Sequence, residues 1–297
     1  MTQLEYTIFE AWAGQKISFI LRRQLGVSAI LLRLLRQTPA SILLDGAPVS
    51  FYTCPTAGQR LTVRLPNDPP SDIVPTQGEL DICYEDAHIY VINKPAGLCV
   101  HPGPDHHNDT LGNYLAWLER TRGEARTFRP VNRLDRGTSG LLCVAKHGYA
   151  AERLRQSMRE NLWHKSYLAV CEGVPSTLSG TIDAPIGRLD GSVLMRQVQE
   201  DGKPARTRYQ VLSGYQHHTL VQLWPETGRT HQIRVHMAHI GHPLVGDFLY
   251  GTEQPDLITH TALHAYELSF PHPITGKMCS FTTPMPQDMQ ALIYAEL

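Results

Sequence analysis

The stretch VNRLDRGTSGLLCVAK, residues 131–146, contains both the best-defined strand of the chain and its most chemically suggestive turn. Its second half, GLLCVAK, is a short and nearly continuous apolar run, which is typical of a strand buried on both faces. Its first half places Asp135 between Arg133 and Arg136 in a turn that contains two glycines. A charged turn leading into a buried strand predicts a functional side chain at the edge of a sheet.

Two interpretations of Asp135 stay open at this point: a structural ion pair and an ionised nucleophile. Cationic neighbours favour the charged form of a carboxylate, which suits a nucleophile or a base and does not suit a general acid. On this stretch alone the ion pair is favoured. Ser139 lacks the GxSxG frame of a nucleophile elbow, so it is interpreted as a turn hydroxyl.

Around this stretch, predicted strands and isolated helices follow one another without strict alternation. Strands are predicted for HIYVINK (88–94), KSYLAVCEG (165–173), ARTRYQVL (205–212) and HTLVQLW (218–224). Helices are predicted near 111–118, capped by Asp109 or Thr110, over 150–162, and over 230–240, capped by Thr230. This order indicates an α+β fold rather than a doubly wound one.

Composition describes an ordinary globular chain of 297 residues, with 42% hydrophobic and 19% charged residues. We expect no membrane span and no signal peptide, because no apolar run is long enough and the first ten residues lack an apolar core. The six cysteines are scattered without a CxxC pair, which argues against a disulfide framework or a zinc knuckle. A reducing, cytoplasmic location is expected.

Positive charge is concentrated near the N-terminus. Residues 15–66 carry seven basic side chains and one acid, a net charge of +6, whereas the whole chain has a net charge of −1. Two helices and a small hairpin sheet are predicted there, with a turn at Asp45 and Gly46. A basic module of this kind predicts a polyanion-binding domain, although a charged surface without special purpose is the alternative.

The domain boundaries follow from these patterns. We predict a small, basic α/β domain over residues 1–67, a proline-rich linker over 68–79, and a second, larger domain over 80–297.

A second motif, ETGRTHQIRVHMAHIGHPLVGD, spans residues 226–247. Arg229 precedes the predicted cap Thr230, and a guanidinium beside a helix N-terminus predicts an anion site, for phosphate or for the carboxylate of Asp135. The four histidines of this motif do not share one helical face, and no carboxylate completes a ligand triad. No metal site is therefore predicted.

A third candidate lies on the strand KSYLAV. Period-two alternation predicts that Lys165, Tyr167 and Ala169 share one face. An inward tyrosine is more often part of a core than of a catalytic site. Beside Asp135, however, its ring would supply the stacking surface that a flipped nucleobase needs.

Together, NRLDRGTSGLLCVAK, KSYLAV, GKPARTRYQVL, TGRTHQIRVHMAHIGHPLVGD and ALHAYELSFPHPITG resemble the RluA-type pseudouridine synthases, and VINKPAGLCVHPG fits too. The resemblance covers about residues 80–286, in the right order. It implies a central, mostly antiparallel sheet with flanking helices and a cleft. It also implies isomerisation of uridine to pseudouridine in RNA without a cofactor or metal. Residues 15–66 resemble, more loosely, the RNA-binding domain named after ribosomal protein S-four.

The resemblance assigns roles to particular residues. Asp135 would be the catalytic aspartate, Tyr167 would pack on the target base and could remove the proton from carbon 5, and Arg229 would pair with Asp135. Arg133 would enter the RNA. The pocket wall would include Lys165, Ile233 and Leu263. The chain departs from many members at Asn132, where histidine is common.

The substrate stays open between ribosomal and transfer RNA, and the N-terminal module favours large-subunit ribosomal RNA. A monomer is expected. The alternatives are a protein that only binds RNA, a metal-dependent hydrolase, and a ribosome-assembly factor whose catalysis is secondary.

Overall fold

The computed structural model describes residues 2–67, 71–214 and 217–294, without the side chain of Tyr294. The strands are β1 Gln3–Thr7, β2 Ile42–Leu44, β3 Ala47–Pro48, β4 Arg60–Arg64, β5 Asp81–Glu85, β6 Ile89–Lys94, β7 Ser139–Ala145, β8 His164–Glu172, β9 Ser179–Asp183, β10 Ile186–Arg188, β11 Arg196–Val198, β12 Arg206–Gly214, β13 His218–Pro225, β14 Leu263–Pro271 and β15 Met278–Thr282. The helices are α1 Ile17–Phe19, which continues as a π-helical turn Ile20–Gln24, α2 Ala29–Gln37, α3 Leu111–Thr121, α4 Gly148–Arg159, α5 Gln232–His239 and α6 Gln287–Tyr294, and a 3₁₀ turn spans Glu10–Trp12.

A nine-stranded sheet forms the body of the molecule, in the order β5-β6-β7-β14-β8-β13-β12-β9, with β15 paired to β14. Among the strand pairs of this sheet that the structure describes, β7–β14 is parallel and the others are antiparallel. The predicted α+β fold with a mostly antiparallel central sheet is confirmed.

Strand β7 is the centre of this architecture, and all seven of its residues are buried. Leu142 and Val144 pack in a cluster with Leu111 and other residues of α3. The alternate residues of β7 pack with α4 instead, in a cluster that contains Leu154. Helices therefore cover both faces of β7, which is why its sequence is apolar without alternation.

The N-terminal residues form a separate four-stranded sheet, ordered β1-β4-β2-β3, with its own apolar core. The predicted turn lies at Asp45 and Gly46, both with positive φ, between β2 and β3. Ser28 caps α2, because its Oγ accepts a hydrogen bond from Leu31 N at 3.1 Å. The sequence did not predict β1, which pairs with β4. The boundaries of the two domains stay a prediction, and residues 68–70 of the expected linker lie outside the described part of the chain.

The N-terminal unit lies against α4 of the body. Tyr149, the second residue of α4, is buried in the N-terminal core. Its hydroxyl donates to Leu25 O at 2.5 Å and accepts from the hydroxyl of Tyr6 at 3.2 Å. Contacts of this kind hold the two units in one arrangement.

Some local predictions were wrong. Thr230 does not cap α5, because the N-cap position is His231 and the helix begins at Gln232. Helix α4 ends at Arg159, so Leu162 lies beyond it and is exposed. Thr110, one of the two predicted caps, does cap α3. None of the helices in the described ranges combines the length and the apolar character that crossing a membrane requires.

Candidate active site

The loop that carries Asp135 is fixed to β7 by Asn132. The Asn132 side chain is buried, its Oδ1 accepts from Cys143 N at 2.8 Å, and its Nδ2 donates to Leu141 O at 3.4 Å. The amide thus satisfies two backbone groups of β7, as a neighbouring strand would. Asn132 therefore positions the loop that carries Asp135.

A buried lysine forms hydrogen bonds to the other side of the same loop. Lys94, at the end of β6, is fully buried, and its Nζ donates to Pro95 O and Leu98 O at 2.8 Å and to Arg136 O at 3.2 Å. Burial lowers the pKa of Lys94 to about 8, while the charge of Asp135 opposes that shift. The ammonium group therefore ties β6 to the residue that directly follows Asp135.

The carboxylate of Asp135 faces the first turn of α5. Its Oδ2 lies 3.4 Å from Arg234 Nη1 and 3.8 Å from His231 Nε2. The Asp135 side chain remains 34% exposed, whereas Arg234 is 5% exposed. A carboxylate that is still open to solvent beside a buried guanidinium can reach a large substrate.

Arg234 is held rigidly by a second carboxylate. Its Nε and Nη2 donate to the two oxygens of Asp247 at 2.7 and 2.6 Å, and Asp247 is fully buried. Asp247 Oδ1 also accepts from the backbone N–H groups of Leu249 and Tyr250. The guanidinium lies over the Tyr250 ring, 5.1 Å from its centroid. A bidentate pair of this kind fixes the direction in which Nη1 points.

The predicted role of Arg229 as the partner of Asp135 is wrong. Arg229 lies in the turn before α5, and its Nε donates to Pro204 O at 2.9 Å. Among the described residues, the cationic partners of Asp135 are Arg234 and, when it is protonated, His231.

The arginines that flank Asp135 in the sequence do not pair with it either. Arg136 Nε donates to Gly97 O at 3.2 Å. Arg133 is exposed; burial lowers the pKa of His101, and the nearby positive charge of Arg133 lowers it further. The alternation of charges along the loop therefore does not correspond to contacts between neighbouring side chains.

Tyr167 is close enough to Asp135 for the two groups to interact electrostatically. It packs against both clusters on this face of the sheet, and it pairs with Leu223 on one side and Ala265 on the other. Burial raises the pKa of Tyr167 well above its ordinary value, and the negative charge of Asp135 adds to the shift. Tyr167 therefore carries its proton at neutral pH.

Of the three predicted pocket-wall residues, two lie in a cluster with Tyr167 and the third does not. Ile233 and Leu263 are buried in the cluster against which Tyr167 packs. Lys165 lies elsewhere, with Nζ 5.9 Å from the ring centroid of Trp163, which belongs to the cluster under α4. Burial lowers the pKa of Lys165. Binding roles for these three residues and for Arg133 stay predictions.

No group of three or more histidine, cysteine, aspartate or glutamate side chains with the geometry of a metal site occurs within residues 2–67, 71–214 and 217–294. The histidines of the second motif are engaged separately. His236 bonds to Thr207 Oγ1 and Ala184 O, and His242 bonds to Glu172 O.

Comparison with known proteins shows to which family the chain belongs. A model of the RNA pseudouridylate synthase family matches residues 88–239. An uncharacterized RNA pseudouridine synthase of Bacillus subtilis is 41% identical over 79% of this chain and 78% of its own length. The chain belongs to the RNA pseudouridylate synthase family. Ribosomal large subunit pseudouridine synthase D of Xanthomonas campestris is 37% identical over 85% of this chain and 80% of that protein.

A solved structure agrees with this assignment. Human RNA pseudouridylate synthase domain containing 1 superimposes on the synthase with a TM-score of 0.59 at 32% identity, over 69% of this chain and 83% of that one. The synthase is therefore an isomerase that acts on RNA, and the alternatives of a metal-dependent hydrolase and of a protein that only binds RNA are overturned. The match to the family model does not include the N-terminal unit, whose likeness to the S-four domain stays a prediction.

Sequence reasoning missed several residues of this candidate site, namely Lys94, His231, Arg234, Asp247 and Tyr250. Arg234 had a signal in its spacing, because it follows the predicted cap Thr230 by four residues, which is about one helical turn. Lys94 had a signal too, since it is a lysine at the end of an apolar strand, directly before a Pro-Ala-Gly turn. The other three had none, because their roles depend on which loops meet around Asp135.

Proposed function

We propose that Asp135 is the catalytic aspartate of this synthase, and that it converts specific uridines of a structured RNA to pseudouridine. The observation that carries the proposal is the environment of the Asp135 carboxylate. The carboxylate is partly open to solvent, one of its oxygens faces Arg234, and its charge lies near enough to the partly buried Tyr167 to raise the pKa of that phenol further. A charged carboxylate next to an aromatic ring suits a reaction on a base turned out of its stack.

The reaction needs no outside reactant. The bond between N1 of uracil and C1′ of ribose breaks, a bond between C5 and C1′ forms, C5 loses a proton and N1 gains one. Substrate and product are isomers, so the protein has to supply positioning and charge stabilisation. The buried Arg234–Asp247 pair and the Lys94 brace serve positioning, because both restrain the surroundings of Asp135.

Tyr167 has one role that its environment supports and one that it opposes. A partly buried ring near Asp135 offers a surface on which the uracil ring can pack. Removal of the C5 proton by the phenolate would first require Tyr167 to ionise, and burial together with the charge of Asp135 raises its pKa. We therefore assign Tyr167 to base packing.

Large-subunit ribosomal RNA is the substrate that we propose. Two observations support it: the relative from Xanthomonas campestris is named for the large ribosomal subunit, and the N-terminal unit is basic and docked on the body. Transfer RNA is the alternative. A substrate of either kind agrees with action in the cytoplasm.

The test is a map of pseudouridine in total RNA from cells with the wild-type gene, without it, and with Asp135→Asn. We expect one or more large-subunit sites to be lost in both altered strains, because the amide cannot act as an ionised nucleophile or base. Asp201→Asn, an exposed carboxylate elsewhere, serves as the matched control and should keep every site.

Three results would contradict the proposal. Sites that persist in Asp135→Asn would exclude Asp135 as the catalytic residue. Sites lost only from transfer RNA would show that the substrate is transfer RNA rather than ribosomal RNA. A deletion strain with defective ribosomes, combined with an Asp135→Asn strain with normal ones, would favour the assembly-factor alternative.

A further inference from the structure

We propose that His231, oriented by Tyr250, is a positioning residue that holds one oxygen of Asp135 and leaves the other free to react. This inference rests on the proposed function, because it assumes that Asp135 takes part in the reaction. It concerns two residues that the sequence analysis did not assign, in the turn before α5 and in the loop after Asp247.

The backbone of His231 is in an unusual conformation. Its φ of 56° and ψ of 20° lie in the left-handed region, which costs a residue other than glycine about 1 kcal/mol or more. The turn is held by Gln232, whose Oε1 accepts from Arg229 N at 3.0 Å and whose Nε2 donates to Arg206 O at 2.9 Å. Strain maintained by its surroundings in this way is characteristic of functional sites.

Hydrogen bonds determine which nitrogen of His231 carries the proton. Arg196 N donates to the Tyr250 hydroxyl at 2.9 Å, so the hydroxyl proton is available for His231 Nδ1, 2.8 Å away. Burial raises the pKa of Tyr250, so the hydroxyl keeps that proton. When Nδ1 accepts, neutral imidazole carries its proton on Nε2, the nitrogen that faces Asp135.

The charges around His231 favour its neutral form. Burial lowers the pKa of the imidazole most, and the positive charges of Arg234 and Arg196 lower it further. The carboxylates of Asp135 and Asp247 act in the opposite direction. We therefore expect a neutral imidazole at pH 7, with Nε2 as a hydrogen-bond donor.

Both contacts of Asp135 converge on one oxygen. Arg234 Nη1 is 3.4 Å and His231 Nε2 is 3.8 Å from Oδ2, and within the described parts of the chain no side chain forms a hydrogen bond or ion pair with Oδ1. The His231 contact is longer than a hydrogen bond, and such contacts often shorten when the substrate binds. Oδ1 is then the oxygen that faces the nucleotide.

The experiment compares His231→Asn, His231→Gln and Tyr250→Phe in the full chain, with His239→Gln as the matched control. His239 is an exposed histidine of the same helix. Asparagine tolerates the left-handed conformation but is too short to reach Asp135, whereas glutamine can place an amide N–H near the position of Nε2. The measurement is pseudouridine formed per enzyme on large-subunit ribosomal RNA transcribed in vitro, between pH 5 and 8, together with the melting temperature.

We expect kcat to fall about 10- to 100-fold in His231→Asn and about fivefold in Tyr250→Phe, with KM little changed. Glutamine should restore much of the rate.

The pH dependence separates this role from a structural one. Because the pKa of His231 lies below the ordinary histidine value of 6.5, wild-type kcat should fall only at pH values below 6.5, where His231 gains a second proton. Nδ1 can no longer accept from Tyr250, and the added positive charge makes Asp135 less reactive. That acid limb should be absent in His231→Gln and retained in His239→Gln, a difference that a purely structural role would not produce.

An unchanged kcat in His231→Asn, or an acid limb that persists in His231→Gln, would overturn this inference while leaving the proposed function intact. Absence of pseudouridine from the wild-type reaction, or full activity of Asp135→Asn, would overturn the proposed function and this inference with it.

Discussion

At the scale of single residues, Arg234 and Arg229 illustrate how two arginines of one motif acquire different roles. Arg229 lies in the turn before α5 and bonds to a backbone carbonyl, whereas Arg234 is buried in the first turn of the helix between Asp247 and Asp135. The sequence motif led to Arg229 as the predicted partner of Asp135 and left Arg234 unassigned. Only the position at which the helix begins decides which guanidinium reaches the site.

A pair of substitutions tests this assignment. Arg234→Gln should lower the free energy of unfolding by about 3–5 kcal/mol, because it leaves the fully buried Asp247 without its cationic partner. It should also reduce pseudouridine formation more than tenfold. Arg229→Gln, the matched control, should lower the free energy of unfolding by about 1 kcal/mol or less. Urea denaturation and an activity assay measure both effects, and equal losses in the two variants would contradict the assignment.

At the scale of elements, β7 and the turn before it form the support of the site. Asn132 bonds the loop to the side of β7, and Gly140 lets the start of β7 approach β14 closely. Gly140 has a φ of 106°, and a Cβ there would lie 2.4 Å from Ala265 O. Side chains larger than a hydrogen atom do not fit at this point of the parallel pair.

Gly140→Ala should therefore destabilise the synthase by about 2–4 kcal/mol, through overpacking and backbone strain together. Because Ala265 is paired with Tyr167 on the next strand, the displacement should also lower activity under conditions where the protein stays folded. Gly148→Ala is the matched control. Gly148 begins α4, has ordinary φ and no atom within 4 Å of an added Cβ, so alanine should be neutral or slightly stabilising. Similar melting temperatures for the two variants would be evidence against a close approach at Gly140.

At the scale of the whole molecule, the N-terminal unit adds a basic surface at a fixed place. Tyr149 of α4 is buried in the N-terminal core and bonded to Leu25 O, so the unit is packed on the body. Tyr149 follows β7 at its carboxyl end, whereas Asp135 precedes β7. The two sites are therefore separated by about the length of a seven-residue strand, roughly 20 Å.

The basic surface consists of the exposed arginines 22, 23, 33 and 36, and none of them pairs with a carboxylate of the described residues. The double variant Arg23→Gln/Arg33→Gln in the full chain should reduce the slope of log K against log salt by up to about 1.5, if both side chains contact phosphates. Arg159→Gln is the control, because Arg159 already pairs with Glu152 at 3.0 Å. Filter binding at several salt concentrations measures the slope, and equal slopes for wild type and the double variant would count against RNA binding by this surface.

The sequence alone determined a large part of this description. The apolar run of β7, the cap at Ser28 and the Asp-Gly turn are local patterns, and each produced the predicted element. The motifs around Asp135 and Tyr167 also identified the family, because several separated motifs in one order are highly specific. The short strands β9, β10 and β11 were missed, since few local signals mark strands whose pairing partners lie far along the chain.

The tertiary structure decided which side chains surround Asp135. They come from the end of β6, from the start of α5 and from the loop that precedes β14, three segments that are distant in the sequence. Periodicity shows which residues share a face of one element, but it does not show which faces of distant elements meet. That depends on the packing of the sheet and helices, and it is the reason that Arg234 rather than Arg229 reaches the carboxylate.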